Sequence, residues 1–359
     1  MRRNIMRLRA HLEPLGVEIR PHLKTVKSVE AARRVLKDGI GPATVSTLKE
    51  AEVFGAAGVK DILYAVGISP DKLERVLSLR AMGCDLTVVL DSIVQAEAVA
   101  TASRLSGEPI PALIEIDSDG HRSGLAANDP KLVQIGEILA KGARLRGVIT
   151  HAGESYAAVG AEAQAAFAEQ ERSAVVAAAE TLRRAGLPCP VVSLGSTPTA
   201  HAARNLDGVT EVRAGVYVFF DLFMAGIEVC TQDDIALSVL TTVIGHQKER
   251  GWIIVDAGWM AMSRDRGTAN QAIDQGFGVV CDGQRRPLKD LIVVTANQEH
   301  GVVAVRPGSE TPLPDLPIGT KLHILPNHAC ATAAQFDGYH VLSANESNDL
   351  AYWPRFRGW

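Results

Sequence analysis

The stretch RPHLKTVK at residues 20–27 decides how the rest of the chain is interpreted. It follows a short apolar run, Leu15, Val17 and Ile19, which predicts one β-strand. The lysine at position 24 comes directly after this strand and is a candidate for a Schiff base, because a desolvated amine can be nucleophilic near neutral pH. On its own this indication is weak, since most lysines are solvated surface charges.

From residue 1 to about residue 225, short β-type runs alternate with helical patterns. The predicted strands are Gly16–Arg20, Gly41–Ser46, Asp61–Val66, Leu86–Leu90, Ile110–Ile116, Leu145–Thr150, Val191–Leu194 and Glu211–Val216. Eight β/α units of this length predict a (β/α)8 barrel, and no GxGxxG follows the first strand to support an open dinucleotide-binding sheet. Polar residues that suit chemistry also recur just after these strands, which is where barrel active sites collect.

After about residue 230 the helical periods give way to β-rich segments separated by turn residues. The predicted segments are Ala236–Gln247, Trp252–Asp256, Phe277–Cys281, Leu291–Ala296, Val302–Val305, Lys321–Leu325 and Tyr339–Leu342. We therefore predict two domains, a (β/α)8 barrel at residues 1–230 and a β-rich domain, barrel or sandwich, at residues 231–359.

Composition and charge exclude several classes of function. The chain has 359 residues, a net charge of −4 and no basic run, so nucleic acid is not an expected partner. No apolar run reaches the roughly 18 residues needed to span a bilayer, and no apolar h-region follows the basic residues 1–6. Five dispersed cysteines without a CxxC pair indicate a reducing cytoplasm. The expected assembly is a cytoplasmic homodimer with no membrane partner.

The RPHLKTVK stretch resembles the Pro-His-x-Lys-Thr signature of fold-type III pyridoxal phosphate enzymes that act on D-3-hydroxyamino acids, the D-serine dehydratase and D-threonine aldolase family. The resemblance covers nearly the whole chain and implies an alanine racemase-like fold, a barrel followed by a β-domain. It implies that Lys24 carries the cofactor and that Lys27 is an accessory charge near the phosphate. One departure is that members usually begin with an extra strand, whereas residues 3–12 here predict a helix.

The loop after the seventh strand has two interpretations. Gly195, Ser196 and Thr197 could hold a phosphate with backbone N–H groups and hydroxyls, or they could form an ordinary helix N-cap before a proline. The family resemblance implies the phosphate role and adds the backbone of Gly215 and Val216, which follow strand eight.

Three further residues are candidates for contacts with the cofactor ring. By resemblance, Arg122 faces the pyridine nitrogen, where an always-charged guanidinium cannot act as an acid. The alternative for Arg122 is a surface arginine beside two aspartates. His151 is either a core histidine or a catalytic group that stacks on the ring or transfers protons, and Tyr156 is a weaker candidate beside it.

The motif His328-Ala329-Cys330 suggests a metal site. In a strand-like segment, residues two positions apart point to the same face, so both side chains can reach one ion. A lone HxC pair is often incidental, but the resemblance implies an essential divalent ion here. Thiolate and imidazole favour Zn²⁺, and Mn²⁺ or Mg²⁺ remain open when substrate and water fill the other positions. Such an ion would help to expel hydroxide from the substrate's Cβ.

Two polar clusters in the second half of the chain have no assigned role. Residues 297–301 are either a hairpin turn or a substrate contact. Arg264 and Arg266 could meet a substrate carboxylate or could belong to a solvated loop.

Together these features predict a dehydratase that uses pyridoxal phosphate and a divalent metal. Its substrate would be a small D-3-hydroxyamino acid, D-threo-3-hydroxyaspartate or D-serine, and its products a 2-oxo acid and ammonia. A D-threonine aldolase, which releases glycine and an aldehyde, is the first alternative, although the family's aldolases carry His-x-Asp where Cys330 stands. A non-catalytic carrier of pyridoxal phosphate is disfavoured by the second domain, and a racemase would not need the metal pair.

Overall fold

The computed structural model of the protein describes residues 1–342 and 350–359, and these fall into two compact units. Asn4–Tyr217 and Trp353–Trp359 form the first unit, and Val218–Tyr352 form the second. The chain therefore passes from the first unit to the second between Tyr217 and Val218. The domain boundary at residue 230 stays a prediction. In the described residues, no helix combines the length and apolar character that crossing a membrane requires.

The first unit is built around an eight-stranded parallel sheet. Its strands are β1 (Glu18–Ile19), β2 (Ala43–Val45), β3 (Asp61–Gly67), β4 (Asp85–Leu90), β5 (Pro111–Ile116), β6 (Arg144–Thr150), β7 (Val191–Leu194) and β8 (Glu211–Val212). They pair in the order β1-β8-β7-β6-β5-β4-β3-β2, and a parallel bridge between His22 and Thr44 joins the two outer strands. The predicted (β/α)8 barrel is confirmed. The eighth strand is shorter than predicted, because residues 216–218 form a 3-10 turn.

Within the described ranges, one helix precedes the first strand of this sheet, and seven helices connect its successive strands. They are α1 (Arg2–Leu12), α2 (Val29–Val35), α3 (Leu48–Ala56), α4 (Leu73–Ala81), α5 (Ile93–Ser106), α6 (Lys131–Gly142), α7 (Ala161–Arg184) and α8 (Thr197–Ala202). Four of them begin with a hydroxyl cap, since the side chains of Ser28, Thr47, Ser92 and Ser196 each accept a hydrogen bond from a first-turn N–H. Short capped βα loops of this kind set where the strand ends lie and so prepare the site.

A buried arginine ties the closing strands of the barrel together. Arg20 Nε donates to Glu211 Oε2 at 2.7 Å, and its two terminal nitrogens donate to the carboxylate of Asp61 at 2.8 and 2.9 Å. These contacts link the ends of β1, β8 and β3. The arrangement holds Arg20, the first residue of the signature stretch, in place.

The C-terminal residues return to the first unit as a strap. The backbone N–H of Phe356 donates to Lys27 O at 2.9 Å, and its ring meets the edge of Phe54 at 5.2 Å between centroids. The guanidinium of Arg34 lies 4.0 Å from the ring centroid of Trp353. The strap, residues 353–359, therefore touches the barrel close to the signature stretch.

The second unit contains a closed antiparallel barrel of six strands. They are β9 (Val239–Gln247), β10 (Trp252–Val255), β11 (Val279–Cys281), β12 (Pro287–Ala296), β13 (Gly301–Val305) and β14 (Lys321–Leu325), paired in the order β10-β13-β12-β11-β14-β9. Alternate residues such as Val243, Val255, Val293 and Ile324 fill its core. The β-rich prediction is confirmed, and the structure resolves the choice between barrel and sandwich in favour of the barrel.

Short helices interrupt the second half of the chain where sequence patterns predict only strands and turns. They are α9 (Leu222–Gly226), α10 (Trp259–Met262) and α11 (Ala329–Ala333). Two further strands, β15 (Gly338–Val341) and β16 (Ala351–Pro354), lie near the C-terminus. Helix α11 is the important difference, because it contains one of the predicted metal ligands.

Candidate active site

Lys24 lies in a turn at the carboxyl end of β1, which we call the lysine turn (residues 23–26). The turn is closed by Val26 N–H donating to Leu23 O at 3.1 Å. The Lys24 backbone N–H donates to His22 Nδ1 at 3.4 Å, and the Lys24 side chain is exposed. Burial, and then the charge of Lys24, lower the pKa of His22 well below its usual value, so its ring is neutral. The lysine amine therefore stands beside an uncharged imidazole.

The side chain of Lys27 is engaged in an ion pair within the protein. Its Nζ lies 3.2 Å from Glu50 Oε1, and the Glu50 side chain has no solvent exposure. Lys27 also has a positive φ of 41°, a backbone conformation that is uncommon for a side-chain-bearing residue. The ion pair and the Phe356 hydrogen bond hold Lys27 there, so the contacts do not support the predicted accessory role near a phosphate.

His151 follows β6 and lies in the same part of the barrel as Lys24. Its Nδ1 is 3.0 Å from Gly195 O, and since a carbonyl only accepts, Nδ1 carries the proton and Nε2 has the free lone pair. Burial lowers the pKa of His151 to about 3, with the charges of Arg122, Arg213 and Lys24 adding to the effect. The ring is therefore neutral at physiological pH. Tyr156 packs nearby, with 6.0 Å between ring centroids.

The neutral state of His151 predicts a pH dependence of stability. The folded pKa of about 3 lies below the value near 6.5 of an unfolded histidine, so the unfolded chain takes up the proton first as pH falls. The stability that the neutral ring contributes to the folded state is fully present above about pH 6.5. It is lost as the pH falls towards 3, by at most about 1.4 kcal/mol per pH unit. We expect the free energy of unfolding of His151→Gln to fall less steeply than that of the wild type between pH 7 and pH 5. Equal slopes in denaturant titrations would contradict the neutral buried ring.

Arg122 lies on the exposed loop that follows β5. Its charge is close enough to lower the pKa of His151 and to oppose the rise that burial causes in the pKa of Glu115. The aspartate Asp117 is engaged elsewhere, accepting from the backbone N–H of Gly120 at 2.8 Å. The structure thus brings Arg122 into the electrostatic neighbourhood of His151.

The predicted phosphate loop has features of both interpretations, the helix N-cap and the phosphate site. Ser196 caps helix α8, accepting from Thr199 N at 3.2 Å, so its hydroxyl is occupied. Thr197 Oγ1, by contrast, is buried with no hydrogen-bond partner among the described residues. Gly195 has φ +129°, and a Cβ there would lie 2.3 Å from Arg213 O, so only glycine fits. The loop is an N-cap that also presents an unsatisfied hydroxyl.

The segment after β8 brings a second unsatisfied group to the barrel. A Cβ on Gly215 would lie 3.1 Å from His22 O, which shows how closely this segment approaches the signature stretch. Val216 begins the 3-10 turn at residues 216–218. The Tyr217 hydroxyl is buried and has no partner in the part of the chain that the structure describes, and burial raises its pKa. Sequence patterns gave no indication of this tyrosine.

Pyridoxal phosphate, the group that the resemblance implies, fits these residues. The amine of Lys24 is exposed for covalent attachment, and its charge is near enough to the neutral ring of His151 to help lower the pKa of that ring. In the predicted phosphate loop, the buried hydroxyl of Thr197 lacks a hydrogen bond within residues 1–342 and 350–359, a costly state that a phosphate would relieve. Arg122 supplies a positive charge on the same side of the barrel as His151.

A buried glutamate on helix α7 organises the loops of this site. Glu171 Oε1 accepts from Ala152 N at 2.8 Å and from Gly195 N at 3.1 Å, and Oε2 accepts from Thr199 Oγ1 at 2.7 Å. It thereby joins the residue after His151 to the loop after β7. Burial raises the pKa of Glu171. Sequence analysis did not single it out, because a glutamate within a long helix carries no local signal.

Removing the Glu171 carboxylate should loosen both loops together. We expect Glu171→Ala to lower the free energy of unfolding by about 3 kcal/mol, because two buried N–H groups and a hydroxyl lose their acceptor. Glu171→Gln is the matched control, since its amide oxygen can accept from both N–H groups and its amide nitrogen can donate to the Thr199 hydroxyl. Denaturant unfolding and cofactor titration of both variants measure the effect. Similar losses in the two variants would contradict a hydrogen-bonding role.

Arg213 is a second buried charge that sequence analysis assigned no role of its own. One terminal nitrogen donates to Ser193 Oγ at 2.6 Å and the other to Thr150 O at 2.5 Å, so it spans the ends of β6 and β7. Burial lowers its pKa to about 10. The side chain therefore remains charged and contributes to the low pKa of His151.

In the second unit, His328 and Cys330 interact, but not as a strand pair. His328 is extended, whereas Cys330 lies in the first turn of helix α11. The strand-like prediction for this motif is wrong, because Asp221 Oδ2 accepts from Ala329 N at 2.9 Å and starts the helix there. Burial tends to lower the pKa of His328, but hydrogen bonds to Asp265 and Cys330 raise it to about 10. The His328 imidazole and the Cys330 thiol are therefore in contact, although the motif is not a strand.

A divalent metal fits this pair as a two-ligand site. His328 Nδ1 and Asp265 Oδ2 are 2.6 Å apart, an arrangement that fixes the ring and leaves Nε2 for an ion. Among the described residues, no three histidine, cysteine or acidic side chains cluster as metal ligands. Further ligands would therefore have to come from substrate or water. Sequence analysis missed Asp265 and Asp221, whose contacts join residues far apart in the chain.

Comparison with known proteins adds to this geometry. The family described as alanine racemase, N-terminal domain, matches residues 1–222, and a serine dehydratase domain family matches residues 236–342. The chain is 56% identical to D-threo-3-hydroxyaspartate dehydratase from Delftia sp., covering 100% of this chain and 95% of that protein. It is 29% identical to D-serine dehydratase from Dictyostelium discoideum, covering 98% and 92%.

Solved structures agree with the sequence relatives. The structure of D-threo-3-hydroxyaspartate dehydratase from Delftia sp. superposes with a TM-score of 0.96 at 55% identity, covering 100% of this chain and 95% of that chain. A cysteine-to-alanine mutant of that enzyme, described as being in the metal-free form, superposes equally well with a TM-score of 0.96.

Proposed function

Because the chain belongs to the fold-type III pyridoxal phosphate enzymes with an alanine racemase N-terminal domain, we propose that it is a carbon–oxygen lyase that dehydrates D-threo-3-hydroxyaspartate. The observation that carries the proposal is the end-to-end similarity to an enzyme of that name. Dehydration removes a proton from Cα and hydroxide from Cβ, and the released enamine hydrolyses to oxaloacetate and ammonia. D-Serine, which has the same reacting bonds, is a second expected substrate and would give pyruvate.

The first unit provides the residues for the Cα side of the reaction. When bound, pyridoxal phosphate stabilises negative charge at the substrate's Cα. Lys24 would hold the cofactor and then take the Cα proton at Nζ. His151 would stay neutral beside the site and contact the ring, since its pKa of about 3 rules out an imidazolium near pH 7. Arg122 would face the ring nitrogen as a fixed positive charge that does not donate a proton as an acid.

The phosphate would be held by groups on two loops. Thr197 offers its buried hydroxyl, and the backbones of Ser196 and Gly215 lie in the segments that surround it. Gly195 and Val216 would shape these segments, the first by its positive φ and the second by starting the 3-10 turn.

The second unit would provide the residues for the Cβ side. His328 and Cys330 would hold a divalent ion, which would supply a Lewis acid for the β-hydroxyl oxygen. Asp265 would orient the His328 ring through the 2.6 Å contact at Nδ1. The thiolate and imidazole favour Zn²⁺, with Mn²⁺ or Mg²⁺ as the alternatives.

Parallel assays of three substrates test the proposed reaction. D-threo-3-Hydroxyaspartate should give equal amounts of oxaloacetate and ammonia, and D-serine should give pyruvate and ammonia. D-Threonine separates dehydration, which yields 2-oxobutyrate, from aldol cleavage, which yields glycine and acetaldehyde. Glycine as the dominant product would establish an aldolase and overturn the proposal.

We also propose that the enzyme is a cytoplasmic homodimer. The cytoplasmic part is supported by the cysteines, which form no disulfide in the structure. Sedimentation equilibrium across a concentration series tests the dimer, and a stable monomer would contradict it.

A further inference from the structure

The loop that follows α10, residues 263–267, has a backbone that hydrogen bonds hold in place. Ser263 is buried with a positive φ of 74°, and its N–H donates to Trp259 O at 2.8 Å. Its hydroxyl accepts from Asp265 N at 3.2 Å, and Asp265 Oδ1 in turn accepts from Gly267 N at 2.8 Å. The side chains carried by residues 263–267 are therefore presented in defined positions.

The two arginines of this loop differ in what they contact. Arg266 is committed to the protein, since one terminal nitrogen lies 2.6 Å from Asp274 Oδ2 and the guanidinium lies 4.9 Å from the Phe277 ring centroid. Arg264 instead lies over the Trp259 ring, 4.0 Å from its centroid. Within residues 1–342 and 350–359, no carboxylate pairs with Arg264. Stacking of this kind orients a guanidinium and leaves its N–H edge available.

Arg264 also directly precedes Asp265, the residue that contacts His328 of the metal motif. Asp265 Oδ2 is 2.6 Å from His328 Nδ1, so this carboxylate is already occupied. Neighbouring Cα atoms are only about 3.8 Å apart. In 3-hydroxyaspartate, the hydroxyl and the second carboxylate are attached to the same carbon. A residue that recognises this carboxylate must therefore lie beside the groups that hold the hydroxyl.

We propose that Arg264 binds the second carboxylate of the substrate and sets the preference for 3-hydroxyaspartate over D-serine. This inference rests on the proposed dehydratase function and names the residue that would select its substrate. The planar guanidinium matches a carboxylate with two parallel hydrogen bonds, and D-serine offers no partner for it. Trp259 keeps the side chain in place before substrate arrives, which reduces the entropy lost on binding.

Substitution of Arg264 by methionine and by lysine tests the inference. Methionine keeps apolar contact with Trp259 but removes the charge, so kcat/KM for D-threo-3-hydroxyaspartate should fall about 100-fold while that for D-serine stays within about 3-fold. Arg264→Lys keeps the charge without the fork and should recover part of the loss. Arg250, whose guanidinium lies 5.0 Å from the Trp252 ring centroid, provides the matched control as Arg250→Met, which should leave both substrates unchanged.

A binding measurement separates recognition from turnover. Malate has two carboxylates and a hydroxyl but no amino group, so it cannot enter the reaction. Calorimetric titration of the holoenzyme should show malate binding that Arg264→Met weakens at least about 10-fold.

Three outcomes would overturn the inference. Equal losses for both substrates would show that Arg264 only supports the fold, and equal malate affinity in the wild type and Arg264→Met would show that it does not bind the carboxylate. Wild-type protein without activity on either hydroxyamino acid would overturn the proposed function, and the inference with it. Failure of the inference alone leaves the wild-type activity intact.

Discussion

Replacing Lys24 with alanine should lower turnover of D-threo-3-hydroxyaspartate by at least about 10³-fold. The variant loses both the amine that would hold the cofactor and the group that would take the Cα proton, and a positioned general base alone contributes about 10²–10⁴-fold. Borohydride treatment of the wild-type holoenzyme followed by peptide mass mapping should place the cofactor on Lys24. The variant should lose this adduct together with the visible absorbance of the attached cofactor.

Lys27 provides the control, because it lies three residues further along the same stretch. Lys27→Arg keeps a cation against the buried carboxylate of Glu50 and should retain the trapped adduct and most of the activity. Lys27→Met would instead leave that carboxylate unpaired and should destabilise the fold by about 3 kcal/mol. An adduct mapped to Lys27 would overturn the assignment of Lys24.

Removal of divalent metal should lower kcat by about 10³-fold while the cofactor stays bound. A Lewis acid contributes several kcal/mol to the departure of a hydroxide, and each 1.4 kcal/mol corresponds to about tenfold in rate. Dialysis against a chelator, followed by metal analysis, absorbance spectra and activity with added Zn²⁺, Mn²⁺ or Mg²⁺, measures the requirement. Full activity after exhaustive removal would exclude a catalytic metal.

Substitutions of the proposed ligands and their neighbours test where the metal ion binds. Cys330→Asp should weaken dehydration without creating an aldolase, because the carboxylate changes the preferred metal but not the position of Lys24. Asp265→Ala should reduce metal affinity about 10–100-fold, since it removes the acceptor that fixes the His328 ring. Cys230→Ser alters a thiol of similar exposure in the same unit and should leave the metal requirement unchanged. Cys330→Ala removes this ligand altogether, so an unchanged metal content in that variant would place the ion elsewhere.

Sequence patterns predicted those parts of the molecule that depend on local chemistry. The eight strands of the first unit were predictable because alternating apolar runs and capped helices such as α2 follow each other within short distances. Lys24 was predictable as a candidate because the stretch around it combines a strand end with a known signature. Ser196 was open to two interpretations because a hydroxyl before a proline suits both a cap and a phosphate.

Long-range contacts explain what the sequence did not reveal. Cys330 lies in a helix because the side chain of Asp221, far away in the chain, accepts the N–H of Ala329. Glu171 resembles any other glutamate of an amphipathic helix until the fold brings the loops after β6 and β7 to its carboxylate. Arg264 and Arg266 differ only through the partners that the folded loop gives them. Such roles become visible only in three dimensions.

The strap has a consequence for how the protein is made. During synthesis, the signature stretch leaves the ribosome early, whereas Trp353–Trp359 follow after every residue of the second unit. Until then, the carbonyl of Lys27 lacks its hydrogen bond from Phe356, and the Phe54 ring lacks its edge contact. The barrel therefore gains these two contacts only after the second unit has been translated. We expect capture of the cofactor to follow the docking of residues 353–359 on the first unit.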